Sequence, residues 1–421
     1  MKEKIFELVK EYMDARKQEP FTPGKSIVKV GAPCFGHEEI NNALDSLLSL
    51  WISQGKKVIQ FEKEYAAYVG TKHGIAVNSG SSANLLALAI LIKAGRVKKG
   101  AEVIVPAATF TTVISPIIQN GLVPVFVDIE DGSYNISPTA IEAAITENTG
   151  LIMPVHSLGC PADMEAIMAI AEKHNLPVFE DCCEAHSAAV NGKRVGSFGT
   201  LSAFSFFVAH NMTTGEGGMI MTNDDELEDL ARSMREFGRL KKYEEGKPRF
   251  YFTDEQLKDY DERYVFEIMG YNVRMSDIHA SLGIEQLKKL DALTDHRIQV
   301  ATFYEQHLKK YEKHLQLPAT PAGALHSFYG YTLLVKDTAP FTRTDIVRFL
   351  EEHNIETRAF LGGNLTLQPA YRGEHIRVAD DLAMTNNVMN NTFFIGTHSY
   401  VTEEQRQYVV DVFDKFFAQY D

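Results

Sequence analysis

Cysteine is scarce in this chain of 421 residues: four thiols, at Cys34, Cys160, Cys182 and Cys183. None form a C-x-x-C pair and none follows Cys183. A disulfide framework is therefore not expected, nor is an iron–sulfur cluster, which needs four thiolates at close, regular spacing. Positive charge is also short. Lys and Arg number 42 against 56 Asp and Glu, a formal net charge of -14. That balance disfavours nucleic acid and anionic membrane surfaces as partners, since both need basic patches. It leaves room for a small anionic ligand, which a few local Lys and Arg can hold. Long apolar runs are missing too: the stretch Leu85 to Ile92 is far shorter than the roughly 20 residues of a membrane-spanning helix. The N-terminus, Met1-Lys2-Glu3-Lys4, mixes acid into what would be the basic region of a signal peptide. It reads as an amphipathic helix over 1–17, and the protein as cytoplasmic.

The composition that remains, 45% hydrophobic and 23% charged, is ordinary globular usage. The length suits two lobes. Short apolar strands are expected at 74–77, 102–106, 123–127, 151–155, 177–180, 201–207 and 218–221. Helices such as 138–144 and 164–174 separate most of them. That alternation predicts an α/β domain with a mostly parallel sheet, over residues 1–300 with the N-terminal segment included. Residues 301–421 read as a smaller α+β domain. The polar stretch Arg239 to Arg263 reads as a surface excursion.

Several candidates for a site lie at strand ends. Ser79-Gly80-Ser81-Ser82 joins a strand to a helix, where backbone amides and the helix N-terminus favour a phosphate. Asp181 ends another strand, where ligands collect in open α/β sheets, and Glu184 follows it by three residues. Phe110 follows a third strand and can stack on a ring. Ser205 and His210 come together in Ser205-Phe206-Phe207-Val208-Ala209-His210, ahead of Gly215-Glu216-Gly217-Gly218. An imidazole titrating near 6.5 is partly neutral at pH 7 and can take and return a proton. Each feature alone has an ordinary reading: a serine helix cap, solvated acids, a core aromatic, a core serine.

In order along the chain, these pieces resemble the DegT/DnrJ/StrS sugar aminotransferase family. The resemblance implies an aspartate aminotransferase-type fold (type I) with a large mixed, mostly parallel sheet and a small C-terminal α+β domain. It implies pyridoxal or pyridoxamine phosphate (PLP, PMP) held by Gly80, Ser81, Ser82, Phe110, Asp181, Glu184 and Ser205. It also implies a homodimer, with Asn272 of Gly270-Tyr271-Asn272-Val273-Arg274 reaching the cofactor of the partner subunit. In that family a lysine stands at the position of His210 and holds the cofactor covalently. Histidine has no primary amine.

This departure, together with Glu184, resembles the branch that removes the C3 hydroxyl of nucleotide-linked 4-keto-6-deoxyhexoses. Absence of cysteine after residue 184 resembles the iron-free members acting on GDP-4-keto-6-deoxy-D-mannose. The implied activity is a B6-dependent dehydratase of deoxysugar and O-antigen biosynthesis. His210 would be its catalytic base, Arg358 and Asn364 would meet the nucleotide sugar, and L-glutamate would restore PMP. Asn211 departs from that branch, which generally has a second histidine there. Two other readings stay open: an inactive protein of this fold, and a lysine-to-histidine variant of a 4-keto-sugar aminotransferase.

Overall fold

The computed structural model describes residues 1–16, 20–239 and 255–420. Most of the expected excursion between Arg239 and Arg263 lies outside these residues. Helix α1 (Lys2–Ala15) lies on α2 (His37–Leu48), with Asn41 Nδ2 donating to the Phe6 carbonyl at 3.2 Å. Its apolar stripe is only half covered, and Leu8 and Tyr12 remain exposed. Helix α3 (Lys56–Val69) then leads into the alternating part of the chain.

That part runs β1 (His73–Val77), α4 (Gly80–Lys93), β2 (Glu102–Pro106), α5 (Thr111–Gln119), β3 (Val123–Val127), α6 (Pro138–Ala144), β4 (Thr149–Ile152), α7 (Met164–His174), β5 (Phe179–Asp181), β6 (Leu201–Ser205), β7 (Gly218–Thr222) and α8 (Asp225–Arg235). Strands β3, β2 and β4 are parallel, as are β5 and β6. Bridges Ile152–Val178 and Val155–Asp181 join the two groups into one sheet. Strand β7 is antiparallel to both β6 and β1, which makes the sheet mixed. A hairpin-like return through the 206–217 loop leaves β7 no other direction. The strand expected to reach residue 207 stops at Ser205, because the chain turns there into the His210 loop. Helix α4 is apolar on nearly every side, as a helix walled in by the sheet, α5 and α8 must be.

A second, antiparallel sheet lies beyond. It is built from Leu315–Gln316, β8 (Gly330–Val335), β10 (Thr392–Gly396) and β9 (Thr357–Ala359), in that spatial order. Helix α9 (Asp277–Leu308) connects the two cores. Ala280, Ile284 and Leu290 of its first half pack in the large core. Val300, Tyr304 and Leu308 of its second half pack in the small one. The N-terminal segment also reaches the small core, through Val28 and its bridge to Ile355.

One buried carboxylate fixes the ground beneath the site. Glu180, in β5, is fully buried. Its oxygens accept from the amides of Gly196 (2.7 Å), Phe198 (2.8 Å) and Gly199 (2.7 Å) and from His156 Nε2 (3.2 Å). This pins the turn that feeds β6. His156, Glu180 and Cys182 stand close together as a metal set would, but the carboxylate is already saturated by these donors. Removing it would leave several buried donors unpartnered. We therefore expect Glu180→Ala to lower stability by about 3–5 kcal/mol, read from urea unfolding. A loss below about 1 kcal/mol would show that the turn is held by something else.

Candidate active site

A cavity of about 750 Å³ opens at the C-terminal ends of the large-sheet strands and is roofed by the small lobe. Gly80, Ser81, Phe110, Asp181, Glu184, Ser205, His210 and Arg358 line it, joined by Lys29, Cys183 and Tyr329. Ser82, Asn272 and Asn364 do not.

Small residues shape one end of the cavity. Ser79 caps α4, its Oγ accepting from the Ser82 amide at 3.0 Å. The next amides, of Gly80 and Ser81, have no partner within the helix because no turn precedes them. A Cβ on Gly80 would stand 2.5 Å from Ser205 Cβ, so only glycine brings α4 and β6 this close. A Cβ on Gly218 would stand 2.3 Å from the Ser79 carbonyl oxygen, which explains the last glycine of Gly-Glu-Gly-Gly. Ser205 Oγ accepts a long bond from the Phe207 amide at 3.3 Å, leaving its hydroxyl proton to donate. Two free amides, a hydroxyl and a helix N-terminus make an anion cradle of phosphate size.

Next to the cradle, Asp181 is buried and accepts from Asn84 Nδ2 at 2.7 Å and from the Cys183 amide at 3.0 Å. Asn84 also donates to the Thr112 carbonyl at 3.1 Å. The sequence reading passed over Asn84. The available signal was one amide in an otherwise apolar helix. Phe110, at the start of α5, is 53% exposed although it faces a cavity. An aromatic left open beside a buried carboxylate and an anion cradle fits a flat, phosphorylated ring with a basic nitrogen. Such a ligand would cover the apolar face that Phe110 leaves to water.

Glu184 Oε2 accepts from the Leu158 amide at 3.0 Å, and Leu158 holds a left-handed turn, φ 49°, to present it. Burial pushes the Glu184 carboxyl up to about 8, and the charge of Asp181 adds to the shift. It is therefore a proton donor at neutral pH.

His210 is held by its Nδ1, 2.9 Å from the Ser205 carbonyl. A carbonyl only accepts, so Nδ1 carries the proton and Nε2 keeps its lone pair. Burial pushes the imidazole down to about 4, the nearby Arg297 charge assisting. The value near 6.5 expected from sequence is thus corrected: the ring is wholly neutral at pH 7, because half-burial among Phe207 and Tyr329 starves the cation of water.

The remaining candidates fall elsewhere. Arg358 lines the mouth, tied to Glu356 at 2.5 Å. Asn364 is buried under the wall, with Nδ2 on Asn386 Oδ1 at 2.8 Å and Oδ1 accepting from the Thr366 amide at 3.0 Å. Its side chain braces the turn at Thr366 and ties it to Asn386, and it does not line the cavity. Asn272 is exposed, its Oδ1 taking Arg274 Nε at 3.2 Å, and it does not reach the cavity of its own chain. Asn211 is buried and points away from the cavity, donating to the Ser327 carbonyl at 3.2 Å.

A raised carboxyl confers stability that is complete below its unfolded pKa and is lost as pH rises through the folded one. For Glu184 that window runs from the ordinary 4.5 to about 8. Glu184→Gln is neutral at every pH. The melting temperature of the unliganded variant should therefore gain on wild type steadily between about pH 5 and 8. A constant difference across that range would mean that Glu184 ionises as an exposed acid does.

Comparison with known proteins identifies the family. The DegT/DnrJ/EryC1/StrS aminotransferase family matches residues 33–414. The lipopolysaccharide biosynthesis protein RfbH of Salmonella typhimurium is 36% identical, over 99% of this chain and 98% of its own length. A dTDP-4-dehydro-2,6-dideoxy-D-glucose 3-dehydratase of Saccharopolyspora spinosa is 36% identical over 99% of this chain and 92% of its own. Among solved structures, the E. coli GDP-4-keto-6-deoxy-D-mannose-3-dehydratase with bound hydrated PLP superposes with a TM-score of 0.85. It is 30% identical and covers 92% of this chain and 99% of that one. No helix among the described residues is long and apolar enough to cross a membrane.

Proposed function

The chain belongs to the DegT/DnrJ/EryC1/StrS aminotransferase family, of PLP-dependent enzymes that modify sugars, and we propose that within it this protein is a 3-dehydratase of a nucleotide-linked 4-keto-6-deoxyhexose. The observation that carries the proposal is His210 standing where a lysine would anchor the cofactor, held as a neutral base with Nε2 free. Relatives named as 3-dehydratases of dTDP- and GDP-linked sugars support it.

The residues present fit the cofactor. The Gly80 and Ser81 amides and the Ser205 hydroxyl would hold its phosphate, Asp181 would pair with a protonated ring nitrogen, and Phe110 would stack on the ring. Glu184, its carboxyl pKa raised by burial, would donate to the ring hydroxyl. When bound in its pyridoxamine form, the cofactor supplies an amine for the sugar's 4-keto group and a ring that accepts electrons. His210 Nε2 would take up the proton released from the bound cofactor and hand it to the C3 hydroxyl, which leaves as water. A lysine at 210 would compete for the cofactor carbon at which His210 works. Arg358 and Lys29, at the mouth, are placed for the phosphates of a nucleotide sugar. L-Glutamate restores the amine form after each cycle. By the family resemblance, Asn272, which is exposed and does not line its own cavity, would reach that of a second copy, and the working unit would be a homodimer. With four cysteines and none after Cys183, turnover needs no iron and no external reductase.

Assay with a GDP- or dTDP-linked 4-keto-6-deoxyhexose, PMP and glutamate should yield ammonia and a 3-deoxy sugar. An amino sugar would instead make the protein an aminotransferase, and no product would make it an inactive relative. His210→Asn should still bind PLP and lose turnover by about 10²–10⁴-fold, the worth of a positioned acid–base group. Borohydride should leave no PLP attached to wild type, whereas His210→Lys should gain an attachment that borohydride fixes. Full dehydratase activity in His210→Asn would remove the residue from the mechanism.

A further inference from the structure

His210 is not alone on its carbonyl. The Ser205 oxygen accepts a second imidazole, His186 Nε2, at 2.7 Å. His186 lies on the turn after β5 and is fully buried. Its other nitrogen, Nδ1, lies 2.6 Å from the hydroxyl of Tyr65 in α3, itself fully buried. Phe204 and Phe206 pack around the ring, each with its centroid 5.4 Å away. The chemistry of the partners fixes every proton. The carbonyl accepts from both imidazoles, so His186 carries its proton on Nε2. Its Nδ1 then has a lone pair, which the Tyr65 hydroxyl fills. The series reads Tyr65 O–H to His186 Nδ1, then His186 Nε2–H to Ser205 oxygen, then back from that oxygen to His210 Nδ1–H.

We infer that His186 is a positioning residue, which fixes the tautomer of His210 by holding the Ser205 carbonyl in place. This inference rests on the reading of His210 Nε2 as the reactive atom. Ser205 ends β6 opposite Gly218, and the next amide, of Phe206, bonds the Gly217 carbonyl at 2.9 Å. The Ser205 carbonyl consequently points away from β7 to the side of β5, which has already ended at Asp181. That carbonyl is therefore not held by a neighbouring strand, and its two lone pairs are filled by the two imidazoles. If His186 lost its N–H, one lone pair would be buried unsatisfied, and the peptide could turn to find another donor. His210 Nδ1 would then lose its acceptor, and nothing would prevent its proton from moving to Nε2. In that tautomer no lone pair faces the cavity.

The test compares His186→Leu with His186→Gln. Glutamine can donate to the Ser205 carbonyl and accept from Tyr65, whereas leucine does neither. In 15N-histidine spectra of the unliganded protein, assigned with His210→Asn, wild type and His186→Gln should show His210 protonated on Nδ1. His186→Leu should show a mixture of tautomers. Its kcat should fall by about three- to tenfold, the worth of one neutral hydrogen bond, with KM and PLP affinity little changed. Tyr65→Phe takes a hydrogen bond from the same aromatic cluster without touching the Ser205 carbonyl, and should leave the His210 signal in place. An unchanged His210 tautomer in folded His186→Leu would overturn the inference. So would an equal disturbance in Tyr65→Phe, which would mark the effect as loosened packing. Should wild type prove inactive, the spectra still decide the tautomer, so the two readings fail separately.

Discussion

The site depends on one close approach. At Gly80 the start of α4 meets the end of β6 with no space for a methyl group, and at Gly218 strand β7 meets the Ser79 carbonyl just as tightly. Any side chain at either glycine would part the helix terminus from Ser205. The anion cradle would then be lost, because its amides come from α4 and its hydroxyl from β6. Ser205 takes part twice. Its hydroxyl faces the cradle, and its carbonyl, on the opposite side of the same residue, holds the imidazole of His210. The binding of an anion and the placing of a base are thus set by one backbone position.

Burial sets the protonation states in the same pocket. The acid that would ordinarily be charged, Glu184, is held protonated, and the imidazole that would be partly charged, His210, is held neutral. The charge that assists the second shift is Arg297, a buried guanidinium whose Nη1 donates to the Phe328 and Tyr329 carbonyls at 3.3 and 3.2 Å. Those carbonyls belong to the segment that brings Tyr329 edge-on to His210, with ring centroids 5.5 Å apart. The small lobe therefore tunes the base as well as roofing it. A proton acceptor and a proton donor at pH 7, with aromatic walls around them, suit chemistry in which protons are shuttled rather than charges stabilised by water.

The alternation of strands and helices was legible because each strand is a short apolar run and each connection carries a turn signal. The elements from Glu102–Pro106 to Met164–His174 came out at or near their ends for that reason. The direction of β7 was not legible, since a strand's pattern is the same whichever way it runs. Within the site, Gly80, Asp181, Ser205 and His210 could be read from local motifs, each lying at the end of its own strand or the start of its own helix. Asn84, His186 and Tyr65 could not. Their importance lies in contacts across 97, 19 and 121 positions of sequence, respectively to Asp181, to Ser205 and to His186. For Asn364 the sequence could not separate two places, since a polar residue that lines a cavity reads the same as one that braces the wall behind it.

Asn211 bears on the choice among the three readings of the chain. Its likeness to aminotransferases, at the position next to the replaced lysine, favoured a variant of one. The structure removes that weight. Asn211 is turned from the cavity and ties the His210 loop to Ser327, in the segment that carries Tyr329. That task is the same whichever base stands at 210. His210, in contrast, is specified by its surroundings: Nδ1 has an acceptor at 2.9 Å, a second imidazole shares that acceptor, and the ring lies between two aromatic neighbours. A flexible lysine needs neither the carbonyl nor its partner. Tyr65 bonds His186 and His186 bonds the Ser205 carbonyl, so the same acceptor that takes His210 Nδ1 is fixed from its other side. The imidazole at 210 is thereby held by one acceptor and two aromatic rings, with the orientation of its ring set by a backbone carbonyl rather than by a charged partner.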